Sequence, residues 1–233
     1  MVYNRALFDT AGLAYPTADW TTDDLATLAT QLTQGRGPTK QYGFAGDYYE
    51  LADAELLMKR RGGQLYDLTQ DPPGFAFTDP ATVAALDWYT ELTREGMKPL
   101  FTTGLGETQS DGMTFQQRAA LINAGRVALW TTVFGVPDSW YRLPAGLKTG
   151  IVPLPLVDDG TPVSDALFVA GYYISATTPH PDACWAWLRF LTEQSVAVDG
   201  VPARRSVAAS AAYREKVGAA VADVVVPLVE AYT

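Results

Sequence analysis

The chain has 233 residues, 48% of them hydrophobic, enough to bury a substantial core in one domain or two. Its formal charge of -9 and its single basic run, Lys59-Arg60-Arg61, argue against a nucleic-acid partner, which selects for a basic footprint. One cysteine, Cys184, and one histidine, His180, exclude an internal disulfide, a thiolate cluster and a multi-histidine metal centre.

In chain order, Met1-Val2-Tyr3 reads as the tail of a strand, with Asn4 capping a helix over 5–11 that Gly12 closes. Thr21, Asp23 and Asp24 start a second helix, Trp20 staples onto Leu25, and Leu25, Leu28, Ala29 and Leu32 form its apolar face up to Gly35. A short strand over 42–46 leads into Asp47-Tyr48-Tyr49-Glu50, the start of a helix that ends at Gly62-Gly63. There Lys59, Arg60 and Arg61 suit the helix dipole. Pro80 opens the next helix, whose predicted face is Val83, Leu86, Tyr89 and Leu92. A polar loop over 105–112 follows, and Gly104-x-Gly106 lacks the rest of a dinucleotide fingerprint.

Thr114 and Gln117 have capping-box spacing, Phe115, Ala119 and Ile122 share a helical face, and Gly125 stops the helix. Val127-Ala128-Leu129 then reads as a short buried strand that exits at Trp130, followed by the polar Thr131 and Thr132. Pro153 and Pro155 make the extended stretch 148–156 an edge or crossing strand, and Asp158-Asp159-Gly160 is a turn. A strand is predicted over 167–176. Pro181 opens the most strongly patterned helix, with Cys184, Trp187, Leu188 and Leu191 as its stripe and His180 as its cap. Residues 210–232 read as helix interrupted at Pro227.

Four places carry binding chemistry. Trp130 is either a core plug or an aromatic platform. Asp47, Tyr48, Tyr49 and Glu50 offer aromatic surface and fixed acceptors within one turn, as a sugar's apolar face and hydroxyl rim require, or they serve the helix start and the core. Gly171 inside a strand marks a bulge or close approach beside Tyr172, which is ligand contact or core. Arg204 donates either to ligand oxygens or to a carboxylate that holds its loop. There is no G-x-S-x-G elbow, H-E-x-x-H or Walker loop, and no spacing selects a pair of acids for glycoside hydrolysis. On these residues the reading is a mixed α/β chain with no catalytic residue, cofactor or metal, and a carbohydrate-active hydrolase or a non-catalytic interaction domain stays open.

Several segments resemble one family. Y-N-R-A-L-F-D-T-A-G-L at 3–13, P-T-A-D-W-T-T-D-D-L at 16–25, G-G-Q-L-Y-D at 62–67, F-T-D-P at 77–80, F-Q-Q-R-A-A-L-I-N-A-G-R-V-A-L-W at 115–130, S-A-T-T-P-H-P-D-A-C-W-A-W-L-R-F-L at 175–191 and G-V-P-A-R-R-S at 200–206 follow its order. They are similar to the bacterial extracellular solute-binding proteins of the maltose-binding type, the receptors of ABC importers. The resemblance implies a truncated two-lobed, type II periplasmic-binding-protein-like α/β fold. Residues 1–152 would belong to the second lobe, 153–195 would cross into the first, and 196–233 would return. Most of the first lobe would be absent, together with any signal segment, so the returning segment would expose apolar surface and favour an oligomer. The implied function is capture of a mono- or oligosaccharide between lobes, outside the cytoplasm on a lipid-anchored protein, and delivery to a membrane permease. Trp130, Asp47, Tyr48, Tyr49, Glu50, Gly171, Tyr172 and Arg204 are the expected ligand contacts.

Overall fold

The computed structural model describes residues 1–46, 52–94, 115–132, 146–157, 171–195 and 200–231. Two compact units divide the chain: the first is Met1–Thr132 with Leu143–Asp165, the second Val133–Arg142 with Ala166–Thr233.

In the first unit, local chemistry sets the early elements. The last residue of strand β1 (Val2–Asn4) caps helix α1 (Arg5–Ala11), its Oδ1 accepting from the Ala6 amide at 3.1 Å. Gly12 takes the left-handed conformation that ends α1, at φ 66°. Helix α2 (Thr22–Leu32) starts with a full capping box between Thr21 and Asp24. Strand β2 (Tyr42–Ala45), helix α3 (Ala52–Lys59), hairpin β3 (Tyr66–Asp67) and β4 (Gly74–Phe75), helices α4 (Pro80–Arg94) and α5 (Phe115–Asn123), and strands β5 (Val127–Trp130) and β6 (Thr149–Ile151) complete the unit.

The four-stranded sheet has the order β2-β5-β1-β6. β2 runs parallel to β5, whereas β1 is antiparallel to both β5 and β6. Register places Phe44, Leu129 and Tyr3 in one cross-strand row, within the core that also holds Phe8, Trp20, Leu25, Leu32 and Leu57. Ala45, Trp130 and Val2 form the next row, which strand alternation turns to the other face. Every residue of β5 is buried. Among the described strands β6 is an edge, as its flanking prolines predict, and its continuation stays on this unit: Trp20 Nε1 donates to Pro153 O at 3.0 Å and Arg60 Nε to Pro155 O at 2.7 Å.

The basic run is structural. Besides Arg60, Lys59 pairs with Glu55 at 2.6 Å, and Arg61 reaches Asp23 at 2.7 Å and lies over the Trp88 ring. One face differs from expectation. On α4 the buried side chains are Thr82, Ala85, Tyr89, Leu92 and Thr93, while Val83 and Leu86 are exposed. The Gly63 backbone comes so close that a Cβ there would lie 2.8 Å from that of Ala85, leaving room only for small residues. Thr82 satisfies Gln64 by accepting from its amide and donating to its carbonyl.

The second unit contributes α6 (Pro181–Thr192), α7 (Arg205–Ala208), α8 (Ala211–Val217) and α9 (Ala219–Ala231). The last three pack together and bury Val207, Ala208, Tyr213, Val221, Ala222 and Val225. The break between α8 and α9 falls at Gly218, with φ 85°, and Pro227 sits inside α9 rather than interrupting it. α6 forms as its periodicity predicts but buries none of its residues. Trp185 and Trp187 are 60% and 59% exposed, and the Trp187 and Phe190 rings stack at 5.5 Å. His180 occupies the cap position without a side-chain capping bond. Residues 171–176, the described part of the strand predicted over 167–176, carry no ladder, and the described residues of this unit include no strand with which to pair.

Candidate functional site

The parallel neighbours β2 and β5 end side by side, with Ala45 opposite Trp130. Ligands of open α/β sheets collect outside the carboxyl ends of such strands. Here the two exits are tied together. The Thr131 amide donates to Ala45 O at 3.3 Å, and the Arg118 guanidinium donates to Thr131 O at 2.7 Å and to Ala45 O at 3.5 Å. Arg118 comes from α5 and is only 4% exposed. Asp53 of α3 is also buried and accepts from the Tyr89 hydroxyl of α4 at 3.2 Å. Gly46, the residue after β2, admits that carboxylate: a Cβ on it would stand 2.2 Å from Asp53 Oδ2. Burial, with the charge and hydrogen bond of Asp53 added, holds the Tyr89 hydroxyl far above its usual range, while Arg118 acts in the opposite direction. Tyr89 is therefore a neutral donor at any physiological pH.

Among the residues singled out by sequence, Trp130 stands at this end of the sheet and is 3% exposed. Asp47, Tyr48, Tyr49 and Glu50 follow Gly46 directly in the chain and lie outside the described residues. Gly171, Tyr172 and Arg204 belong to the second unit. Among the described residues, a Cβ on Gly171 would meet Tyr173 first, at ordinary contact distances of 3.6–3.7 Å, so none of them requires glycine there by contact. The Tyr172 ring is about half exposed. Arg204 holds its loop to the end of α6, with Nε donating to Thr192 Oγ1 at 2.8 Å and the guanidinium 3.8 Å from Glu193.

The sequence reading missed Arg118, Asp53, Tyr89 and Gly46 as a group. Arg118 did leave a signal, since it sits three residues after Phe115 and four before Ile122, a charge within the apolar stripe of α5. Among the described residues no group of histidines, cysteines and acids could hold a metal ion, and no helix is long and apolar enough to cross a membrane.

Residues 1–198 match the family described as bacterial extracellular solute-binding protein. The chain belongs to that family. Solved structures with the same type II periplasmic-binding-protein-like fold include an ABC transporter solute-binding protein from Agrobacterium radiobacter in complex with ribitol, 21% identical, with TM-score 0.63 over 98% of this chain and 56% of that one. UgpB from Mycobacterium tuberculosis, in complex with glycerophosphocholine, is 17% identical, with TM-score 0.63 over 96% of this chain and 54% of that one. A cyclo/maltodextrin-binding protein complexed with maltotetraose is 15% identical, with TM-score 0.62 over 98% and 55%. The chain thus spans about half the length of the solved structures it matches, and its α/β fold is truncated relative to theirs. No curated protein matches it.

Proposed function

We propose that this solute-binding family member captures a neutral sugar or polyol and delivers it to an ABC permease, without turning it over. The observation that carries the reading is the pair of locked strand exits, where Arg118 fixes Ala45 and Thr131 on a fold whose solved relatives hold ribitol and maltotetraose. Asp47, Tyr48, Tyr49 and Glu50 supply hydroxyl-reading and aromatic groups beyond β2. Gly171, Tyr172 and Arg204, which belong to the second unit, are carried as proposed ligand contacts on the family resemblance alone. Trp130 is the stacking ring, and its burial means that a sugar face must displace what covers it. Residues 1–152 and 196–233 are assigned to one lobe and 153–195 to the passage into the other. The protein works outside the cytoplasm, lipid-anchored in its full-length form, and the exposed rings of α6 draw the chain into an oligomer.

Tryptophan-fluorescence titration with neutral mono- and oligosaccharides, polyols and an amino-acid control tests the reading, on this chain and on any longer polypeptide its coding sequence specifies. Saturable quenching by a sugar or polyol, with the compound recovered intact, is the expected result. Trp130→Ala should weaken that binding roughly five-fold or more, the worth of about 1 kcal/mol of ring stacking. Turnover of the compound, or equal affinity in the variant, would remove the non-catalytic reading or the platform respectively.

A further inference from the structure

Thr131 is a residue at the strand exits whose polar groups are not all used. Its amide is spent on Ala45 O and its carbonyl on Arg118, but its side-chain hydroxyl is buried with no hydrogen-bond partner among the described residues. The residue as a whole is 6% exposed. Folded proteins pair most buried hydroxyls, and an orphan costs stability that valine, with the same shape and no hydroxyl, would not. This orphan sits immediately after Trp130, at the carboxyl end of a central parallel strand, on a backbone immobilised from both sides. We infer that the Thr131 hydroxyl is a specificity-determining contact for a hydroxyl of a neutral polyhydroxy ligand, preorganised by the Arg118 clamp; this rests on the function proposed above. Among the described residues, the charges at the exits are Arg118 and Asp53, one of each sign. The hydroxyl is covered as Trp130 is, so a ligand group reaches it only by displacing the same cover.

The test measures affinity for ribitol, maltotetraose and a panel of neutral sugars by calorimetry, on the full-length protein and its Thr131→Val and Thr131→Ser variants, with Tm recorded for each. Thr131→Val should bind about 3- to 10-fold more weakly, the worth of one neutral hydrogen bond, with an unchanged or higher Tm. Thr131→Ser, which keeps the hydroxyl, should stay within about two-fold of the parent. Binding by the parent with unchanged affinity in Thr131→Val would overturn the inference and leave the hydroxyl to a buried water only. A lowered Tm or failure of Thr131→Val to fold would also overturn it, because the hydroxyl would then be structural. If the parent itself bound no neutral sugar or polyol, the functional reading would fall and this inference with it.

Discussion

Strand β5 and helix α6 are both built from apolar residues and tryptophan, yet every residue of β5 is buried and none of α6 is. The strand lies between two hydrogen-bonded neighbours with side chains packed on both faces, so its sequence and its surroundings agree. The helix has an equally clear period but leaves Trp185, Trp187 and Phe190 half or more exposed. Periodicity therefore identifies the face that wants cover without supplying the cover. An apolar surface of this kind usually marks an interaction site.

Substitutions can break or sharpen this contrast. The largest effect is expected in the sheet, where Phe44 is 1% exposed against Leu129. Phe44→Ala should cost about 3–5 kcal/mol in urea unfolding, and a loss under 1 kcal/mol would mean that the sheet core is no better packed than α6.

The smallest effect on stability is expected in α6. Trp187→Ser should change the unfolding free energy by no more than about 0.5 kcal/mol, as at an ordinary surface position. It should nonetheless shift sedimentation of the chain toward monomer. A large destabilisation would place Trp187 in a core, and an unaltered sedimentation profile would remove α6 from the self-association surface.

Local chemistry was legible in the sequence wherever one or two neighbouring residues decide the outcome. Asn4 with Gly12, and Thr21 with Asp24, bound their helices as expected, and Gly125 lies just past α5 with φ 69°. Faces set by distant partners were less legible. Val83 and Leu86 match the period of α4, but Gly63, some twenty residues earlier in the chain, fixes which side can approach. The helix break moved from Pro227 to Gly218 because a proline forfeits one amide bond, whereas a glycine at φ 85° redirects the backbone. The polar group at the strand exits was hidden for the same reason of distance, since residues 45, 53, 89, 118 and 131 meet only once the sheet has formed.

The placing of β1 has a consequence for the order of events during synthesis. Met1 and Val152, 151 residues apart, exchange hydrogen bonds, and β1 separates β5 from β6. Strand β1 must therefore wait for partners that lie more than a hundred residues later in the chain. Such long-range pairing slows folding. It also leaves the β1 segment, two of whose three residues are apolar, unpaired and open to chaperones until β5 and β6 have been made.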